Sequence, residues 1–154
     1  MNRQIYNFQF EPREENYYRL LNLALEFCDR LLLVERSSIP LSLLGKEFAQ
    51  RLNGFLIETM NGDEWPGTKL LDEKAVIRVF KFNLDSLEIL KSFTCGLYDW
   101  VQPELLEDLC LLRSDGTPWL VSISHEKDGY FELTECEKNQ VIEKFPGLLC
   151  SANS

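Results

Sequence analysis

The sequence predicts an α+β fold in which helices pack on a mixed or antiparallel sheet that ends in a three-stranded meander. Three observations predict it. Residues 14–30 carry an apolar stripe with helical spacing, short apolar or alternating segments flank the helical ones, and two Asp-Gly pairs separate short β segments after Pro103. At 154 residues the chain is long enough to bury one core without a metal or a disulfide, so we expect a single domain over residues 1–154.

The first part of the chain alternates strand and helix signals. Residues 5–10 alternate between apolar and polar side chains, as a half-buried strand does. Residues 14–30 follow with the clearest helical period, and Glu14 and Glu15 suit the positive end of the helix dipole. Residues 31–34 then predict a short buried strand.

The middle of the chain predicts a helix followed by a turn-rich loop. The helix covers residues 41–53 and either stops at Gly54 or continues along the same apolar stripe to Thr59. Residues 61–68, with the sequence NGDEWPGT, hold two glycines, a proline and two acidic residues, which is typical of a loop. Trp65 is the only large apolar side chain in that loop.

Strand and turn signals dominate the rest of the chain. Residues 75–82 predict a strand, and Asn83 is suited to cap the helix that follows it. The two Asp-Gly pairs predict the hairpin turns of the meander. Thr134 and Glu137 have the spacing of a capping box, which predicts a last helix.

The chain is acidic, with 25 Asp and Glu against 16 Lys and Arg and a net charge of -9. Phosphate backbones and anionic lipids repel such a surface, so we expect neither nucleic acid nor a membrane as a partner. There is no signal peptide pattern, and the five cysteines include no C-x-x-C pair. We therefore expect a cytoplasmic protein with structural thiols, and no cofactor or metal.

Negative charge is concentrated between Asp99 and Glu137, where ten acidic residues stand against two basic ones, a net charge of -8. Acidic side chains can steer a basic protein toward a surface, and aromatic side chains can anchor it there. We therefore predict a partner-binding surface. Its candidate residues are Asp99, Trp100, Glu104, Glu107, Asp108, Trp119, Glu126 and Asp128. The alternative is that the acids form a solvated face and the aromatics belong to the core.

His125 is the only histidine, so the chain has no two-histidine metal site and any histidine-dependent mechanism rests on this residue. Its neighbours Ser122, Ser124 and Glu126 resemble a catalytic triad on paper. Adjacent residues of a strand point to opposite faces, however, so these side chains are not expected to converge. No phosphate-binding, dinucleotide-binding or nucleophile-elbow motif is present.

Several short motifs carry a resemblance to a protein family. They are WPGT at 65–68, LYDW at 97–100, PE at 103–104, EDLC at 107–110 and DGTPWLVSISHE at 115–126. The chain resembles a group of small uncharacterised bacterial proteins, some of which are labelled stage III sporulation protein AH. The resemblance covers nearly the whole chain and implies no established chemistry. In size and charge the chain is also similar to immunity proteins of polymorphic toxin systems.

Three functional hypotheses follow. The leading one is a non-catalytic acidic protein-binding module, such as an immunity-type inhibitor of a bacterial toxin. The second is a small hydrolase or transferase with a pocket near His125, and the third is a sporulation accessory factor. A cleft with perturbed pKa values around His125 would favour the enzyme, whereas an exposed acidic patch would favour the binding module.

Overall fold

The computed structural model describes residues 2–149, which form a large sheet, a small hairpin and four α-helices. The strands are β1 Gln4–Asn7, β2 Arg30–Arg36, β3 Leu56–Gly62, β4 Glu64–Trp65, β5 Thr68–Lys69, β6 Ala75–Lys81, β7 Glu107–Leu112, β8 Pro118–Ile123 and β9 Asp128–Leu133. The helices are α1 Glu15–Ala24, α2 Leu43–Leu52, α3 Leu84–Phe93 and α4 Glu135–Lys144. The predicted α+β class is confirmed.

Seven strands form the large sheet, in the order β1-β9-β8-β7-β2-β6-β3. Every neighbouring pair in it is antiparallel, which decides between the two sheet types that the sequence left open. The predicted meander is β7-β8-β9. It is extended by β1, which pairs with β9, and by β2, which pairs with β7. A strand signal near the N-terminus and one near the C-terminus therefore meet at one edge of the sheet.

The four helices share one face of the sheet. Leu20 of α1, Phe48 of α2, Leu87 of α3 and Val141 of α4 are all fully buried in the same apolar cluster. The caps are as predicted, since Asn83 and Thr134 each accept a hydrogen bond from the backbone N–H three residues later. Helix α1 is shorter than the stripe over 14–30 suggests, because it ends at Ala24.

The opposite face of the sheet is covered in part by the hairpin β4–β5, whose Trp65 packs in a second apolar cluster with side chains of β2, β6, β7 and β8. Pro66 and Gly67 form the turn, and Gly67 has a φ of 88°. A Cβ at Gly67 would lie 2.9 Å from Ile123 Cγ1, so only glycine fits here without displacement. The prediction of a turn-rich loop over 61–68 is right for the turn at Pro66-Gly67 and wrong for the rest, because the other residues end β3 and form the hairpin strands.

Strand β3 is the one strand of the large sheet that was not predicted from the sequence. After α2 the chain makes a short 3-10 turn, Asn53–Phe55, and continues as an extended strand rather than a helix. β3 lies at the edge of the sheet and most of its residues are exposed on both faces. Burial therefore imposes no alternating pattern on its sequence, and the apolar spacing near Phe55 imitates a helix.

The described cysteines are all free thiols. Cys28 and Cys110 are buried, Cys95 is partly buried and Cys136 is exposed, while Cys150 lies outside the described residues. Burial raises the pKa values of the Cys28 and Cys110 thiols, which is typical of unreactive cysteines. Over residues 2–149, the structure has no helix of the length and apolar character needed to cross a bilayer.

Candidate functional site

A β-bulge in β7 brings two acidic side chains to one face of the sheet. Leu32 pairs with Cys110 and Val34 pairs with Glu107, so two steps along β2 correspond to three along β7. Asp108, the residue next to Glu107, has a φ of 57°, which is uncommon for a residue other than glycine. Glu107 and Asp108 would alternate in a regular strand, but the extra residue leaves both on the side of the hairpin.

Asp108 is fully buried, and three donors surround its carboxylate. The Trp65 indole Nε1–H donates to Oδ2 at 3.2 Å, and the Ser124 backbone N–H donates to Oδ1 at 2.9 Å. The third donor is the imidazole of His125, whose Nδ1 lies 3.1 Å from each carboxylate oxygen. Two separate parts of the fold, the hairpin β4–β5 and the segment after β8, therefore hold this carboxylate in one orientation.

His125 lies in a short 3-10 turn, Ser124–Glu126, between β8 and β9. Its side chain is 27% exposed, although its partner Asp108 is completely buried. Because a carboxylate accepts hydrogen bonds, the geometry assigns the ring proton of neutral His125 to Nδ1. The other ring nitrogen, Nε2, is then left with a free lone pair on the side of the ring away from Asp108.

Glu107 is the third side chain close to the His125 imidazole and the Asp108 carboxylate. Its side chain is only 2% exposed, and its Oε2 atom has no hydrogen-bond partner in the described structure. Oε2 lies 4.0 Å from His125 Nδ1. Burial raises the pKa of Glu107 above its ordinary value, and the neighbouring charge of Asp108 adds to this effect. We call Glu107, Asp108 and His125 the carboxylate–imidazole cluster.

The carboxylate–imidazole cluster borders an open cleft of about 490 Å³ that His125 helps to line. Other walls come from Arg36 at the end of β2, Lys69 in β5, Glu73 before β6, and Glu126 beside the histidine. Arg36 forms an ion pair with Glu73 at 3.0 Å. The cleft therefore combines an imidazole with charged side chains of both signs.

The eight residues predicted to form a partner-binding surface do not lie on one surface. Four of them are buried, namely Trp100, Glu107, Asp108 and Trp119. Glu104, Glu126 and Asp128 are exposed, and Asp99 is partly buried. The four buried side chains are not available to a partner, so that part of the prediction is corrected.

The two tryptophans belong to the core, which was the alternative interpretation of the aromatic residues. Trp100 donates through Nε1 to the Tyr17 hydroxyl at 3.1 Å. Trp119 stacks on Phe27 with ring centroids 5.4 Å apart and meets Phe131 edge to face at 5.0 Å. Both tryptophans are fully buried in the cluster under the helices.

Among the acids, Asp99 already has partners of its own. Its Oδ1 accepts a hydrogen bond from Arg13 at 3.2 Å, and its Oδ2 accepts one from the Cys95 backbone N–H at 3.0 Å. Arg13 also pairs with Glu11 at 2.8 Å, so Asp99 shares this guanidinium with a second carboxylate. Of the predicted acids, Glu126 lines the cleft and Asp128 follows two residues later, and both are exposed.

The sequence analysis was right to reject a triad made from neighbours of His125. The Ser122 and Ser124 hydroxyls donate to the backbone carbonyls of Leu109 and Leu97. Asp108 was not predicted as the partner of His125, because Asp108 lies in β7 and His125 lies in the 3-10 turn after β8. The only signal in the sequence is the pair Glu107-Asp108 at the start of a strand whose other members are apolar.

No protein-family model matches the chain, and no curated protein or solved structure matches it either. A function for the chain is therefore inferred from the geometry of the site.

Proposed function

We propose that the protein is a small hydrolase or transferase that acts on a small molecule in the cleft beside His125. The observation that carries the proposal is the pair formed by Asp108 and His125, with Nδ1 3.1 Å from the carboxylate oxygens, at the border of an open cleft. A buried carboxylate that orients a partly exposed imidazole is a recurrent arrangement for moving protons in enzymes.

In the proposed reaction, His125 is the group that accepts a proton. Asp108 holds the ring through Nδ1, so Nε2 is the nitrogen that takes the proton from a water molecule or from a substrate hydroxyl. The oxygen that loses its proton then attacks the electrophilic centre of the substrate, and Nε2 returns the proton to the leaving group. Trp65 and Ser124 act as positioning residues, because their N–H groups fix Asp108.

The size and polarity of the cleft support a small polar substrate. A volume of about 490 Å³ lies within the range of small-molecule sites, which is about 300 to 1,000 Å³. Lys69 contributes a positive charge whose nearest acidic partner, Asp63, is 3.9 Å away. A substrate with a carboxylate or phosphate group beside its reacting bond suits this wall.

Turnover of a panel of chromogenic carboxylic and phosphoric esters tests the proposal. We expect hydrolysis of at least one ester class, and His125→Gln should lower its kcat by at least about 100-fold, which is the smaller effect expected for loss of a general base. Glu143→Gln removes an exposed carboxylate in α4 and is the matched control, with unchanged activity expected. Equal rates for the wild type and His125→Gln would contradict the proposal.

The acidic protein-binding module is the second candidate, and the exposure of Glu104, Glu126 and Asp128 favours it. An immunity-type inhibitor of a basic toxin is the concrete form of this candidate. Glu126→Lys combined with Asp128→Lys should slow association with a basic protein and reduce its salt dependence. Association rates measured at two ionic strengths check this. Equal rates for the wild type and the double variant would exclude these acids from the interface.

The proposal includes a reducing compartment such as the cytoplasm. Free thiols at Cys28, Cys95, Cys110 and Cys136 support this location, since disulfides form readily in oxidising compartments. No feature of residues 2–149 favours the sporulation accessory factor over the other two hypotheses.

A further inference from the structure

We propose that Glu107, Asp108 and His125 form a binding site for one divalent transition-metal cation. This goes beyond the proposed function and departs from the expectation of no metal. Each of the three residues offers one ligand atom, and these atoms all lie within 4.8 Å of one another. The site opens toward the cleft through His125, so a cation has a route to it.

The unpartnered oxygen of Glu107 is the observation that points to a ligand. Glu107 is 1% exposed, and its Oε2 atom is buried without a donor while facing the imidazole at 4.0 Å. A buried carboxylate oxygen without a partner is destabilising, and most buried polar groups in proteins are satisfied. A cation between Oε2 and Nδ1 supplies the missing interaction.

The separations of the three ligand atoms are close to those around a small bound cation. A tetrahedral site with bonds of about 2.1 Å places its ligand atoms about 3.4 Å apart. His125 Nδ1 lies 3.1 Å from Asp108 Oδ2 and 4.0 Å from Glu107 Oε2. The third distance, between the two carboxylate oxygens, is at most 4.8 Å, so closing the longer separations to about 3.4 Å takes shifts of up to about 1.4 Å.

The chemistry of the ligands selects the class of cation. Two carboxylates balance a charge of +2, and an imidazole favours zinc and other first-row transition metals over calcium and magnesium, which prefer oxygen ligands. Three protein ligands leave a coordination position for water or for a ligand in the cleft. The Trp65 and Ser124 N–H groups already orient Asp108, as outer partners of metal ligands commonly do.

A bound cation and the hydrogen bond to Asp108 use the same nitrogen. To bind a cation, Nδ1 gives up its proton and the ring takes the tautomer that is protonated at Nε2. The hydrogen-bonded pair is therefore the cation-free form of the cluster. Cation binding is measured without substrate, so its outcome and the outcome of the ester assay are independent.

The test is calorimetric titration of the protein with Zn²⁺, using protein without a histidine tag, since His125 is the only imidazole in the chain. We expect one Zn²⁺ per chain and a displacement of the single imidazole resonance in the NMR spectrum. His125→Gln and Glu107→Gln should each weaken binding at least about tenfold. Glu143→Gln, at an exposed position in α4, should bind like the wild type.

Two results of the Zn²⁺ titration would overturn the inference. One is the absence of a saturable site with a Kd below about 1 mM. The other is equal affinity of the wild type and His125→Gln, which assigns the bound cation to groups outside the cluster, such as surface carboxylates or the exposed Cys136 thiol. Because Glu107 is buried, its variant can fail to fold, and His125→Gln at the partly exposed position then decides alone. Displacement of Zn²⁺ by an equal concentration of Ca²⁺ would also contradict ligation by the imidazole.

Discussion

The indole of Trp65 and the carboxylate of Asp108 are joined by a buried hydrogen bond of 3.2 Å. Trp65 lies in the hairpin β4–β5, which covers one face of the sheet, while Asp108 lies in the bulge of β7 behind His125. The hairpin therefore has two roles. It buries apolar side chains of the sheet, and it fixes the carboxylate that orients the imidazole.

We expect Trp65→Phe to keep the fold while changing the site. The phenyl ring retains much of the packing but leaves Asp108 without one of its donors, and a hydrogen bond to a charged group contributes about 1.5 to 3 kcal/mol. Urea unfolding should show a loss of at least about this size, and the imidazole resonance of His125 should move. Trp119→Phe is the control, because Trp119 Nε1 has no hydrogen-bond partner in the described structure. An unmoved His125 resonance in Trp65→Phe would contradict the coupling.

Trp119→Ala tests the core under the helices. Trp119 is fully buried between Phe27 and Phe131, so its truncation should lower the free energy of unfolding by about 3 to 5 kcal/mol. Leu43→Ala is the control at a leucine that is 86% exposed, where a change within about 0.5 kcal/mol is expected. A loss under about 1 kcal/mol at Trp119 would place its side chain at the surface instead.

Asp108 is buried and Glu104 is exposed, although both belong to the same acidic segment, so their variants should differ in stability. Asp108→Ala leaves the N–H groups of Trp65 and Ser124 without their acceptor, so we expect a loss of about 3 to 5 kcal/mol. Glu104→Lys should stay within about 0.5 kcal/mol of the wild type, because the side chain is exposed. Chemical denaturation of both variants checks this. Similar small losses would show that Asp108 is solvated.

Arg113 and Glu137 give the stability a dependence on pH. Burial alone would raise the pKa of Glu137, but hydrogen bonds from Arg113 at 2.7 and 3.2 Å and from Thr134 outweigh it and hold the pKa below its ordinary value of 4.5. A carboxyl group with a lowered pKa stabilises the fold above its unfolded-state pKa, and this contribution is lost as the pH falls through the lower, folded-state value.

The matched variant for this pH effect is Glu137→Gln, which cannot ionise. The wild type should be the more stable protein at pH 7, and the difference in unfolding free energy should shrink as the pH is lowered below 4.5. Denaturation curves of both proteins over this range measure it. A difference that stays constant with pH would show that Glu137 does not carry the effect.

Most of the fold is predictable because local chemistry determines it. Asn83 and Thr134 cap helices through side chains that the sequence places three residues before their partners, and Asp115-Gly116 lies in the turn between β7 and β8. The turn predicted at Asp128-Gly129 is wrong, because these residues begin β9 and the chain reverses in the 3-10 turn Ser124–Glu126. Strand β3 was not predictable, since an edge strand with exposed faces has no burial pattern to read. The pairing of β1 with β9 joins distant parts of the chain and has no local signal.

The site was harder to predict than the fold, and the reason is the bulge at Asp108. In a regular strand Glu107 and Asp108 would point to opposite faces, and nothing in the residue types announces the positive φ that places them together. The exposure of Glu107 and Asp108 was also misjudged. Acidic side chains are usually solvated, whereas these two are buried. The single histidine was identified as a candidate, but its partner Asp108 lies in β7, whereas His125 lies in the turn after β8.

The pairing of Asp108 with His125 is tested most directly by determining the tautomer of His125 in the cation-free protein. The nitrogen chemical shifts of the one imidazole in a long-range ¹H–¹⁵N NMR spectrum report this tautomer. The structure requires the neutral ring to carry its proton on Nδ1, facing Asp108 at 3.1 Å, which leaves Nε2 unprotonated. A spectrum with the proton on Nδ1 supports the site, and its loss in Asp108→Asn ties that tautomer to the carboxylate. A neutral ring protonated on Nε2 in the wild type would contradict the account.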